Sequence, residues 1–262
     1  MSGPGQKADL LWRAQAYVAA AQIHLQDNVL LRRPLGPGHV KARPAGHWGT
    51  VPGTAWALAH VALLSGTGDA ELVPLLGAGH AGVAQIAAGW LTGHLVAARP
   101  QFTRDEQGLV NLCRSFPEVA GLGSEVTPAL PAGDFLGGRL GGCLPFAQGA
   151  ALASSPGRVI VPVLGDGECE TPTTAAAWLA AHALPGTPVL PIVHLNGFRM
   201  GAPQPPCRPD RASPHRVRGR ARLARPHRHG SGRRARGLPH RARPRRRRHP
   251  GRAAHGAVHA VR

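Results

Sequence analysis

Val159-Ile-Val-Pro-Val-Leu-Gly-Asp-Gly-Glu168 is an apolar run that stops abruptly at an acid flanked by two glycines. A short run rich in Val and Ile is the pattern of a strand covered on both faces, as in parallel sheets. Downstream, Thr173 to Leu184 is Ala-rich and reads as a helix, and Val189 to Leu195 is a second apolar run. Strand, helix, strand in that order is a βαβ unit, whose parallel strands place sites at their carboxyl ends. Upstream, Val73-Pro-Leu-Leu76 reads as another strand, ending in the turn Gly77-Ala-Gly-His80 and followed by a helix from about Gly82 to Ala98. Asp9 to Asp27 reads as a helix with Leu11, Trp12, Ala16, Ala19, Ala20, Ile23 and Leu25 supplying much of one face. The expected class is α/β, a parallel sheet flanked by helices.

The chain has 262 residues and is 43% hydrophobic, enough for a buried core. Its net charge of +18 would suggest a partner such as nucleic acid or a membrane surface, but the charge is unevenly placed. Residues 1–204 carry 12 Lys+Arg and 12 Asp+Glu, whereas residues 205–262 carry 19 Arg and one acid, Asp210. That division predicts a folded domain over 1–204 and a disordered basic tail over 205–262. The tail has no aromatic, Ile, Met or Lys, but seven His and eight Pro, and cannot bury a core. Arg245 to Arg248 is a basic run able to contact phosphate, yet no aromatics interleave to stack bases and no groove-reading pattern is present. Arg with Pro, Ala, Gly and His is what GC-rich coding DNA yields out of frame, so the expectation is a frameshift near Gln204. A natural disordered tail and a polyanion-binding arm are the alternatives, and a nucleic-acid function is disfavoured.

Cys113, Cys143, Cys169 and Cys207 form neither a CxxC pair nor a disulfide framework, which fits a reducing compartment. Lys7, Asp9, Arg13 and Asp27 interrupt the first thirty residues, unlike a secretory signal, and no apolar stretch is long enough to span a membrane. The expected location is cytoplasmic.

The most specific local chemistry is Gly165-Asp166-Gly167-Glu168 after one strand, with Asn196-Gly197 at the end of the next. Glycines let backbone N–H groups approach phosphate oxygens, and a following helix N-terminus adds favourable partial charge. Asp166 and Asn196 offer hard oxygen ligands suited to magnesium, whose other positions phosphate oxygens, a main-chain carbonyl and water can fill. Standing alone, the same residues could equally be a Gly-Asp-Gly turn with an unrelated Asn.

The order of Trp12-Arg-Ala, Gly46-His-Trp-Gly-Thr50, Gly77-Ala-Gly-His80, Gly165-Asp-Gly-Glu-Cys-Glu-Thr171 and Leu195-Asn-Gly-Phe198 resembles the N-terminal third of phosphoketolases. These are thiamine-diphosphate enzymes related to transketolase. Gln22-Ile-His-Leu-Gln-Asp-Asn28, Arg33-Pro-Leu35, His39-Val-Lys41 and Pro191-Ile-Val-His-Leu-Asn196 extend the resemblance over about residues 10 to 203. It implies Asp166, Asn196 and the carbonyl of Phe198 as magnesium ligands, with Gly165, Gly167 and Glu168 lining the diphosphate. The family usually has Tyr where Phe198 stands, a difference to which a ligating carbonyl is indifferent. His47 and His80 match histidines facing cofactor and substrate, as groups able to exchange protons near neutral pH. His24, His60, His182 and His194 carry no claim beyond structure.

The implied reaction is phosphorolytic cleavage of xylulose 5-phosphate or fructose 6-phosphate to acetyl phosphate and an aldose phosphate, in a homodimer. Departures from the family pattern qualify that expectation. Where the family has roughly Thr-Pro-Gly-Ser-Ile-His-Glu-Gly-Gly-Glu-Leu-Gly, this chain runs Leu130-Pro-Ala-Gly-Asp-Phe-Leu-Gly-Gly-Arg-Leu-Gly141. Phe135 then stands at an active-site His position, Leu136 and Arg139 at Glu positions, and Ser124-Glu125 replaces Ser-His. Phe can neither exchange a proton nor hydrogen-bond a hydroxyl. The resemblance further implies that a second domain, expected after residue 204, holds the aminopyrimidine half of the cofactor, so residues 1–204 read as an incomplete, inactive unit. A cofactor-binding or oligomerisation role without turnover is the related alternative.

Overall fold

The computed structural model describes residues 4–65, 67–118, 122–135, 139–180, 182–184, 186–199 and 202–203. The basic segment 205–262, Cys207 within it, and Leu136, Gly137 and Gly138 lie outside the described residues.

Helix α1 (Pro4–His24) is followed by α2 (Val51–Ser65), strand β1 (Glu71–Leu76), α3 (Gly82–Thr92), α4 (His94–Ala98) and α5 (Glu106–Ser115). Then come α6 (Cys143–Ala153), β2 (Arg158–Gly165), the single turn α7 (Asp166–Cys169), α8 (Pro172–Ala180), β3 (Ile192–His194), and the short pair β4 (Phe198–Arg199) and β5 (Ala202–Pro203). Strands β1, β2 and β3 form a parallel sheet in that order, with Leu76 opposite Val163 and Gly165 opposite His194. The α/β class expected from the sequence is therefore present, with β2 at the centre.

Alternation along β2 explains the layers. Ile160 and Leu164 point into a cluster with Leu75, Cys143, Leu144, Ala147 and Ala177, on the side of α6 and α8. Val163 points the other way, against Ala57 and Leu58 of α2 together with Ala81, Val126 and Ala132. A third cluster, built on Val18, Ile23, Val83, Ile86, Leu112 and Phe116, joins α1, α3 and α5. Burial of both sheet faces supplies the main driving force for this arrangement.

Several boundaries differ from the sequence expectation, each for a local reason. The first helix runs Pro4–His24 rather than Asp9 to Asp27, because proline suits a first helical turn and Leu25 leaves the helix to bridge Val40. The helix expected over Gly82 to Ala98 breaks at Gly93, whose φ of 88° ends α3 in a left-handed cap. The strand expected over Val189 to Leu195 is reduced to Ile192–His194 and an isolated bridge from Val189 to Ile160. Pro191 has no N–H to give the ladder. The Ala-rich helix runs Pro172–Ala180 and not to Leu184. Helix α2 had no sequence signal, because Ala and Leu on nearly all its faces erase the amphipathic period. Among the described residues no helix is long and apolar enough to cross a membrane.

Candidate functional site

The register brings Gly165 and His194 side by side, so the residues after β2 and β3 share one edge of the sheet. Asp166, only 7% exposed, opens the turn α7 there. Its Oδ1 accepts the N–H of Gly167 at 2.9 Å, and its Oδ2 accepts the N–H of Gly197 at 2.8 Å. Asn196 folds its own loop, with Oδ1 accepting the N–H of Phe198 at 2.8 Å, and Gly197 supports the reversal with φ of 82°. Among the described residues each of these oxygens has one hydrogen bond and a lone pair to spare. The donors are hard oxygens of the kind magnesium selects. Beside them, a side-chain atom added at Gly165 would meet nothing within 4 Å, so backbone N–H groups can be approached from that side. The residues present therefore fit a diphosphate with its magnesium ion. The Phe198 ring itself is 65% exposed, leaving only its backbone to act in the site.

Glu168 belongs to the same turn but faces inward, at 2% exposure. Its Oε1 accepts the N–H of Gly141 at 3.2 Å, and its Oε2 has no partner among the described residues. Burial raises this carboxyl above its ordinary value, while the N–H groups of Gly141, Cys143 and Gly165 oppose the rise. A methyl group at Gly77 would overlap Glu168 Oε2, so the glycine of the Gly77-Ala-Gly-His80 turn permits a close approach of β1 to α7. On the other side Thr174 Oγ1 donates to the carbonyl of Gly141 at 3.0 Å, pinning that loop to α8. The buried Glu168 side chain is thus an anchor among three loops.

His47 precedes α2, and His80 follows β1. Their rings lie 5.0 Å apart at 55°. Burial holds His80 below the ordinary histidine value, the His47 and His194 rings add to that fall, and the Glu125 carboxylate opposes it. His194 was assigned no function from sequence, yet its ring packs where a side chain at Gly53 of α2 would stand. Spacing could not reveal this, since the three histidines come from three separate segments; only the position of His194 two residues before Asn196 hinted at it. Among the described residues no group of three or more His, Cys, Asp or Glu side chains is arranged to hold a metal ion.

The remaining motifs serve the fold. Trp12 Nε1 donates to the carbonyl of Pro52 at 2.8 Å, tying α1 to the start of α2. Lys41 Nζ donates to the carbonyls of Gln22 and Phe116, and burial lowers its pKa. His60 bonds the carbonyl of Trp56 within its own helix. Phe135 is a buried core residue whose ring lies 5.6 Å from that of Phe146. The thiols of Cys113, Cys143 and Cys169 are free, and burial pushes Cys113 up to about 12 and Cys169 up to about 11.

The family model of the XFP N-terminal domain matches residues 5–211. A probable phosphoketolase of Mesorhizobium japonicum is 41% identical over 198 residues, covering 74% of this chain and 24% of that protein. Probable phosphoketolases of Rhodopseudomonas palustris strain BisB5 and Streptomyces avermitilis are 39% and 40% identical, over 76% and 74% of this chain and 26% and 25% of theirs. The chain spans about a quarter of the length of the curated relatives it matches.

Proposed function

The chain belongs to the XFP N-terminal domain family, and from that premise we propose that the joined ends of β2 and β3 are the diphosphate and magnesium site of a thiamine-diphosphate-dependent phosphoketolase domain. One observation carries the reading: Asp166 accepts the N–H of Gly197, which brings the proposed metal ligands Asp166 and Asn196 to one place from two strands.

In this reading Asp166 supplies the negative charge for the cation, and Asn196 Oδ1 and the Phe198 carbonyl supply neutral oxygens. The backbone at Gly165 and Gly167 receives the diphosphate, with Glu168 holding the turn in place from beneath. When bound, thiamine diphosphate supplies the carbanion-stabilising chemistry. His80, held below its ordinary value, is neutral at pH 7 and can accept a proton, while His47 beside it can donate a hydrogen bond to substrate. The reaction is the phosphorolytic cleavage of xylulose 5-phosphate or fructose 6-phosphate, giving acetyl phosphate and an aldose phosphate in cytoplasmic carbohydrate metabolism. Sugar phosphate and inorganic phosphate are the small-molecule partners, and a homodimer is the assembly. Residues 1–204 contribute the diphosphate half of the cleft, so turnover is not expected of that segment alone.

Calorimetric titration of the 262-residue chain with thiamine diphosphate tests the reading. Binding that requires magnesium, and that is absent for thiamine without its phosphates, is the expected result. Equal heats with and without magnesium would remove the metal from the proposed site.

A further inference from the structure

Ser124-Glu125, the pair that stands where the family pattern has Ser-His, lies beside the turn that carries His80. The N–H of Val126 donates to the carbonyl of Gly79 at 2.8 Å, so residues 124–126 dock on the turn that carries His80. Gly82 makes this possible: a side chain there would collide with the backbone of Ser124 and Glu125. The docking holds the backbone of Glu125 against the turn that carries His80, and the Glu125 charge favours the protonated ring. The other titratable groups facing His80 are His47, 5.0 Å away between ring centroids, and His194, packed over Gly53. His80 therefore has imidazoles from two other segments and one carboxylate from a third.

We propose that Glu125 is a positioning residue for His80, its carboxylate supplying the counter-charge that lets this ring take up a proton in the presence of the His47 and His194 rings. The physical need is clear from the surroundings. A partly buried imidazole that gains a proton loses hydration and is repelled by any charge on its neighbours. A nearby carboxylate offsets both effects, and it costs little to maintain because Glu125 itself stays exposed to water. This deepens the reading of His80 as a proton-handling group and rests on it for its significance, but the interaction itself does not depend on any cofactor.

The test is the titration of the His80 ring in the full chain without cofactor. Histidine ring proton resonances are followed by NMR from pH 5 to 8, with His80→Asn used to assign the signal. Glu125→Gln is expected to lower the His80 midpoint by roughly half a pH unit, the size a screened single charge supplies. Glu125→Asp, which keeps the charge, is expected to retain at least part of the wild-type midpoint, and added salt to shrink the difference between wild type and Glu125→Gln. A Glu125→Gln curve that superimposes on wild type or moves upward overturns the proposal, as does a Glu125→Asp curve matching Glu125→Gln. Loss of cofactor binding would count against the magnesium site and leave this titration unchanged.

Discussion

The N–H of Gly197 donates to the carboxylate of Asp166 at 2.8 Å, joining positions 31 residues apart. A hydrogen bond to an ionised acceptor in a nearly buried place is among the stronger contacts a chain can make, contributing about 1.5–3 kcal/mol. It ties the loop after β3 to the end of β2, where β3 itself has only three residues to hold it.

Asp166→Ala removes this tie and the one charged ligand in the proposed magnesium set. The expected outcome is loss of magnesium-dependent calorimetric heat, together with faster amide exchange at Gly197 and Phe198. Unchanged heat in the variant would contradict the ligand assignment.

Gly77→Ala places a methyl group on the buried oxygen of Glu168. Overpacking of this kind costs typically about 1–3 kcal/mol. Glu168→Ala removes the obstructing atoms, so the two substitutions together should cost less than their separate effects added, and urea unfolding of the four chains measures that coupling. Strict additivity would mean that the β1 turn does not press on α7.

Stability should fall as the medium becomes acidic through the histidine range. The His80 value is lowered in the folded chain relative to its ordinary 6.5. The unfolded chain therefore takes up this proton first as the pH falls, and the stability contributed by His80 is present above 6.5 and lost as the pH drops through the lowered value. His80→Asn should flatten that part of the curve in unfolding midpoints measured between pH 7.5 and 5.

Phe135→His tests whether that position lies in the chemistry or in the core. Phe135 is buried against Phe146, and removing such a ring altogether costs about 3–5 kcal/mol. An imidazole there is expected to lower stability without altering magnesium-dependent cofactor heat. A gain in cofactor binding without loss of stability would place Phe135 in the site instead.

Much of the sheet, and of the edge where Asp166 and Asn196 lie, could be read from local pattern. Val159 to Leu164 is apolar on both faces because both faces are covered, and Gly165-Asp166-Gly167 marks where that strand ends. Asn196-Gly197 carries its own turn chemistry, visible without any partner. The regions that misled are those where one residue outweighs a pattern, as Pro191 does for β3 and Gly93 for α3.

Local sequence determines elements through periodicity, caps and turns, since those interactions span a few residues. It does not carry the contacts that depend on how elements dock. That Glu168 turns inward to Gly141 and Gly77, that Phe135 joins Phe146 in the core, that the His47 and His80 rings meet, and that His194 packs on Gly53 are decided by packing between segments up to 141 positions apart, from Gly53 to His194. A side chain's partner across the sheet is set by register and by where glycines allow backbones to close, and those are properties of the assembled fold.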